Sequence, residues 1–333
     1  MKKIIWIIIA AACLCACGKE EIINESQPDE AKNETGSITE AGEYITWDEK
    51  ELSVSGLNKE YEIWFLADSH MTLCNSDEAE EIIEYAAQRT AGFVNEMGVS
   101  SDLIFSEFID AANEEKPDMV LFGGDILDFP SEANVSFLKA ELDRLEVPFV
   151  FTMGNHDWTF PWEYMTPQGS EMYRPMLEEY MHGNFDETNS SNVMSNSYAN
   201  MIELEDLIVL SVDDSSNQVA AEALEAIEAA YALDKPIILM QHVPFSTENL
   251  IVRAKENWAN PVTLGMQVHG GIAPNEVSTE LWYKTHDEES PIKLVLAGHV
   301  HFSYEEELSE STMQIITDAA FKGRAVKLKI AGE

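Results

Sequence analysis

Six stretches of the chain, residues 61–67, 118–123, 148–152, 207–212, 236–240 and 292–297, are runs of apolar, largely β-branched and aromatic residues with little polar interruption. Near-continuous hydrophobicity of this length suits strands buried on both faces. Between the runs the spacing turns helical: residues 77–97, 132–145 and 219–233 read as helices, with acids in the first turn where the helix dipole favours them. Alternating runs and helices predict an α/β fold. After His301 the runs shorten to 302–308, 313–317 and 325–330 with no helix between them, which predicts antiparallel strands closing a second sheet.

Five of the buried runs end in the same kind of residue. Residues 61–67 lead into Asp68-Ser69-His70, 119–122 into Gly123-Gly124-Asp125, 149–153 into Gly154-Asn155-His156-Asp157, 237–241 into His242, and 293–297 into Gly298-His299-Val300-His301. Each puts an Asp, Asn or His at the carboxyl end of a strand. In open α/β sheets that edge is where ligands bind, so residues far apart in sequence converge in one crevice. A single polar residue at a strand end is most often a satisfied side chain or a helix cap. Five together are hard to explain that way. Of the eight histidines, His70, His156, His242, His299 and His301 sit in these blocks, and only His182, His269 and His286 lie elsewhere.

Oxygen and imidazole donors without a thiolate suit divalent first-row ions such as Mn, Fe or Zn. The set is too large for one ion. Carboxylate, amide and imidazole groups in this number fit two ions sharing a bridging carboxylate, the arrangement that clamps the attacking and leaving oxygens of a phosphoryl displacement.

The ordered blocks D-x-H, G-D-x-x-D, G-N-H-D, a strand-end His before Pro, and G-H-x-H, running from Asp68 to His301, resemble the calcineurin-like metallophosphoesterase family. The resemblance implies a two-sheet α/β sandwich flanked by helices and hydrolysis of phosphate esters with a metal-bound water or hydroxide as nucleophile. It implies that Asp68, His70 and His301 hold one ion, that Asn155, His242 and His299 hold the other, and that Asp125 bridges them. His156 then faces the leaving group, with Asp157 as its orienting carboxylate, and Asp128 is a partner that fixes ligand geometry. His269, in Val268-His269-Gly270-Gly271, resembles a ligand segment of the protein Ser/Thr phosphatase branch. His242 has the strand-then-ligand context, and Phe129-Pro130 stands after Asp128 where that branch has an Arg, so His242 is taken as the ligand and His269 as a loop residue bordering the substrate pocket.

Other residues leave two readings open. Trp158, Phe160, Trp162 and Tyr164 either wall a pocket for an apolar or ring-bearing leaving group or pack beneath the loop. Lys322 and Arg324 either contact phosphate or are solvent-exposed charge. A phosphodiesterase differs from a phosphomonoesterase in loops, here 155–187 and 249–275, and not in the ligand blocks. A lipoprotein that captures metal or phosphate without turnover is the rival from another class, but it has no need of a proton donor such as His156.

Composition bears on compartment and partners. Lys2 and Lys3 precede an apolar run, residues 4–12, too short to span a bilayer, and Leu14-Cys15-Ala16-Cys17 resembles a bacterial lipobox. Residues 1–16 are therefore expected to be a lipoprotein signal peptide, with an ordinary cleaved signal as the alternative. Cys17 is expected to be lipidated, which anchors the chain outside the cytoplasm. Residues 17–43, rich in Glu, Asn and Ser, read as a disordered tether before a domain spanning 44–333. Only Cys74 then remains a free thiol, so no disulfide framework is available. A formal net charge of −41 disfavours nucleic acid as an extended partner, whereas a small phosphorylated substrate binds where metal cations reverse the local sign.

Overall fold

In the strand Tyr61–Leu66 (β2), alternate side chains serve different layers: Ile63 and Phe65 join a core shared by two sheets, while Trp64 and Leu66 pack with Ile104, Phe105 and Phe108 of the helix Ser101–Glu115. That period of two, with both faces apolar, is what the uninterrupted runs encode. The computed structural model describes residues 42–159, 172–185, 190–258 and 275–333. Cys17, Phe160, Trp162, Tyr164 and His269 lie outside them, as does nearly all of the expected signal and tether.

Among the described residues the strands form two sheets. The five-stranded one runs Thr46–Ser53 (β1), Arg324–Ala331 (β12), β2, Met119–Phe122 (β3), Phe149–Phe151 (β4). The seven-stranded one runs Tyr304–Ser309 (β10), Thr312–Ile316 (β11), Ile292–Ala297 (β9), Ile237–Met240 (β8), Ile208–Val212 (β7), Ala199–Glu203 (β6), Asn192–Asn196 (β5). β2, β3 and β4 are mutually parallel, as are β7, β8, β9 and β11. The sheets stack through Ile63, Phe65, Leu121 and Leu328 of one against Val209, Ile238, Leu294 and Ile315 of the other. Helices cover both outer faces: Ser101–Glu115 and Glu132–Asp143 on the first sheet, Leu224–Ala232 and Glu276–Thr285 on the second. The fold is thus the expected two-sheet α/β sandwich flanked by helices.

The six long runs become β2, β3, β4, β7, β8 and β9. The three strands after His301 depart from expectation, because they do not close one antiparallel sheet. β10 and β11 form a hairpin on the seven-stranded sheet, whereas β12 crosses to the other, parallel to β1 and antiparallel to β2. Its Val326, Leu328 and Ile330 need the inter-sheet core that the central position supplies. The helix expected over 77–97 is shorter: it spans Glu80–Arg89 and passes through one 3₁₀ turn, Thr90–Gly92, after which Phe93 packs against His70 at 4.7 Å between ring centroids. No helix among the described residues is long and apolar enough to cross a membrane.

Candidate metal centre

The carboxyl ends of β2, β3, β4, β8 and β9 lie along one edge of the sandwich, and the turns leaving them interlock through their backbones. Asp68 N–H donates to Gly124 O (3.0 Å), His70 N–H to Asp125 O (2.9 Å) and Met71 N–H to Ile126 O (3.0 Å). Eight described residues other than glycine have positive φ, and five of them are Asp68, His70, Asp125, His299 and His301. Left-handed backbone costs an L-residue about 1–2 kcal/mol. Its concentration in one turn cluster marks a place where side-chain direction outweighs local comfort. Gly298 is required by close approach: a Cβ there would stand 2.5 Å from Asp68 Oδ2. Without one, His299 N–H reaches both Asp68 oxygens, at 3.1 and 2.9 Å.

Among the described residues three sets of donor atoms converge at this edge, the third of which, His70, Asp125 and His156, spans the other two. Asp68, His70 and His301 offer atoms all within 4.8 Å of one another, and so do Asp125, His242 and His299. In the first set His70 Nε2 is 3.0 Å from His301 Nε2, and His301 Nε2 is 3.3 Å from Asp68 Oδ1. In the second, His242 Nε2 is 3.3 Å from His299 Nδ1. Asp125 Oδ2 stands between the sets, 3.1 Å from His242 Nε2 and 3.7 Å from His70 Nε2. Asn155 opens the helical turn Asn155–Trp158, and its amide oxygen is buried with no hydrogen-bond partner. A buried orphan acceptor of this kind needs an explanation, and a bound cation is one.

The donors fit divalent ions in protonation state as well as in type. His242 Nδ1 donates to the Gly123 carbonyl (2.8 Å), which leaves Nε2, 3.1 Å from Asp125 Oδ2, as the atom available to an ion. His70 Nδ1 faces Asp128 Oδ1 at 3.0 Å, with the same effect on its Nε2. Burial and the charge of His156 hold His70 down to about 4, and burial with the charge of His242 holds His299 down to about 3, so both rings are neutral near pH 7. His242 goes the other way. Burial opposes its protonation, yet Asp125 and Asp68 push it up to about 10, so the carboxylates demand a positive charge at this point. Without an ion a proton meets that demand, and a divalent cation would meet it more fully.

Around the donors, the helical turn corrects one expectation. Asp157 does not orient His156: its Oδ2 accepts from Gly154 N–H (2.7 Å) and Asp125 N–H (2.8 Å), and its Oδ1 from Leu127 N–H (2.8 Å). Adjacent residues of a helical turn point about 100° apart, so Asp157 faces the Asp125 turn while His156 faces outward from it. The His156 ring is held by Asp128 instead, with Nδ1 3.1 Å from the backbone oxygen and 3.2 Å from Oδ1. Arg89 grips the same carboxylate through two bonds of 2.7 Å. Nothing about a lone Arg in a helix announces that role in the sequence. Asp214, at the end of β7, also escaped notice; it is fully buried and accepts the amides of His242 and Val243. The strand-end rule, applied to the run 207–212, would have found it.

The remaining candidates sort readily. Trp158 is 3% exposed and donates to Ser215 Oγ (2.8 Å), so it belongs to the packing beneath the turn. Lys322 Nζ donates to His301 O (2.6 Å) and Asp318 Oδ1 (2.9 Å), beside the first donor set, while Arg324 is exposed on β12. His182 bonds Ser195 Oγ (2.6 Å), and His286 stacks on Trp282 at 3.9 Å.

The family model for calcineurin-like phosphoesterases matches residues 61–303. Among solved structures the chain is similar to a dimetal phosphatase from Danio rerio, with 13% identity, a TM-score of 0.47, and coverage of 79% of this chain and 88% of that one. It is also similar to a 5'-nucleotidase from Candida albicans, with 13% identity, a TM-score of 0.40, and coverage of 81% of this chain and 47% of that one. No curated protein matches in sequence.

Proposed function

The chain belongs to the calcineurin-like phosphoesterase family, whose members hydrolyse phosphoesters with metal ions, and from that premise we propose an assignment of its residues. Asp68, His70 and His301 hold one divalent ion, Asn155, His242 and His299 hold a second, and Asp125 serves both. The observation that carries this reading is the position of the Asp125 carboxylate between the two donor sets, 3.1 Å from His242 and 3.7 Å from His70. When bound, two ions of the Mn, Fe or Zn kind make water acidic near neutral pH and neutralise charge building on phosphoryl oxygens.

The chain's own groups do the rest. His156, held at Nδ1 by Asp128, is left with Nε2 to give a proton to the departing oxygen. Arg89 keeps Asp128 ionised and in place by its two-pronged grip. Asp157 ties the turns after β3 and β4 together through three backbone amides, which fixes the entry of Asp125 and Asn155 into the site. The substrate is a small phosphate ester, since a chain of net charge −41 repels extended polyanions. Turnover of an aryl phosphate and an aryl phosphodiester, each with and without added metal, tests the activity and separates monoester from diester. Metal uptake without turnover of either would leave a binding protein.

The mature protein is held at the membrane by a lipid on Cys17, outside the cytoplasm; the support for this is the run of residues 4–12 ending in Leu14-Cys15-Ala16-Cys17. Cys17→Ser should release the protein to the soluble fraction or leave an uncleaved precursor. Mature protein retained on the membrane as in wild type would contradict the anchor.

A further inference from the structure

The turn Asp213-Asp214-Ser215 follows β7 at the same edge as the donor sets, yet contributes to none of them. Its three side chains each hold a different element. Asp214, fully buried, accepts His242 N–H at 3.0 Å and Val243 N–H at 3.0 and 3.2 Å. Ser215, also buried, accepts the indole N–H of Trp158 at 2.8 Å, at the last residue of the helical turn that Asn155 begins. Asp213 is paired with the buried Arg174, and its Oδ1 accepts Ser215 N–H at 2.9 Å, so the turn is itself braced.

His242 and Asn155 come from different sheets, the first after β8 and the second after β4. Both belong to the same proposed ion. One turn therefore touches, at one remove, both sheets' contributions to that ion. Both Asp214 oxygens accept amides, so an Asn there would turn its own N–H groups toward one of these donors.

We infer that Asp214 and Ser215 are positioning residues for the ion held by Asn155, His242 and His299, keeping His242 and the Asn155 turn in register across the two sheets. The inference rests on the two-ion reading. It is distinct from a general structural role because it is selective: the ion held by Asp68, His70 and His301 draws on neither contact.

The test compares wild type, Asp214→Asn and Ser215→Ala, each stripped of metal and titrated with Mn²⁺ by calorimetry, alongside amide hydrogen exchange of the metal-free proteins and kinetics on an aryl phosphate. Wild type should take up two ions. Asp214→Asn should weaken one of them about 10- to 100-fold while leaving the other within about twofold, the range seen when a partner of a metal ligand is lost. It should also speed exchange at His242 and Val243 and lower kcat more than it raises KM. Ser215→Ala should show the same selective loss to a smaller extent, and it carries the test if Asp214→Asn does not fold. Equal weakening of both ions, or unchanged Mn²⁺ binding despite faster exchange, would overturn the inference while leaving the two-ion reading intact. A wild type that takes up fewer than two ions would overturn both.

Discussion

Carboxylates that accept backbone amides stand at both ends of this sandwich, and the two ends behave differently. At the amino ends of the strands, Asp206 takes Tyr61 O–H at 2.6 Å, Asn58 N–H at 2.5 Å and Lys59 N–H at 3.1 Å, while Asp118 takes Glu62 N–H at 2.9 Å and pairs with Lys59 at 3.1 Å. These groups reach solvent and sit on ordinary backbone. At the carboxyl ends, Asp68, Asp125, Asp157 and Asp214 are buried, accept amides in the same way, and are surrounded by imidazoles. Burial and the neighbouring Asp125 push Asp157 up to about 7, and burial pushes Asp214 up to about 7 against the pull of His242. The same hydrogen-bonding device serves stability at one end and, at the other, holds buried carboxylates among imidazoles. The contrast teaches that burial among imidazoles, and not the presence of a strand-end Asp, distinguishes a site from a clamp.

The sharpest way to break the comparison is to remove the carboxylate shared by both donor sets. Asp125→Asn should lower metal content at both positions and reduce kcat/KM by about 10³-fold or more, since several kcal/mol of charge stabilisation are lost. Elemental analysis and turnover of an aryl phosphate measure this. One tightly held ion unaffected by the change would refute the shared role.

The next effect belongs to His156. Its substitution by Gln should keep metal content and slow hydrolysis by about 10² to 10⁴ on esters whose leaving oxygen needs a proton. A nitrophenolate departs without one, so alkyl phosphates should suffer far more than nitrophenyl phosphate. Loss of metal would make His156 a ligand, as its approach to His70 and Asp125 permits, and equal slowing on both esters would leave it without an acid role.

Which parts of this architecture can be read from sequence follows from the same contrast. Strands buried on both faces declare themselves as continuous apolar runs, so β2, β3 and β7 to β9 were legible, and with them the edge where the site lies. β1 was not, because Thr-Trp-Asp-Glu-Lys-Glu-Leu-Ser is an edge strand that owes its order to pairing with β12. In the helix Ser101–Glu115 the buried Ile104, Phe105, Phe108, Ile109, Ala111 and Ala112 recur at three- and four-residue spacing, so this element too is legible in the sequence. At the site, the donor types and their strand-end positions are in the sequence, but the partners are not. Asp157 lies beside His156 in the chain and points away from it, whereas Asp128 and Arg89, remote in sequence, are the groups that hold the ring and its carboxylate.

The smallest effect is expected at the opposite end, where it tests whether the two ends are separable. Asp206→Ala removes the acceptor of Tyr61 O–H and two amides, which lie near the surface where water replaces part of what is lost, so unfolding free energy should fall by about 1–2 kcal/mol. Metal content and kcat should not change, because nothing at that end reaches the donor sets. Acidification adds an independent reading. Burial tends to raise the Asp206 carboxyl, but the Tyr61 hydroxyl and the Asn58 and Lys59 amides hold it below its ordinary value. A depressed folded pKa means that the unfolded chain takes up the proton first, so the contribution of Asp206 is complete above the unfolded value of about 3.9 and is lost as pH falls through the folded one. Wild type and variant, compared by urea unfolding from pH 6 downward, should therefore converge in stability at the acid end. A stability difference that stays constant with pH would show that Asp206 acts through packing and not through charge. Loss of metal or activity in the variant would mean that the two ends are coupled through the inter-sheet core, and the division between clamp and site would fail.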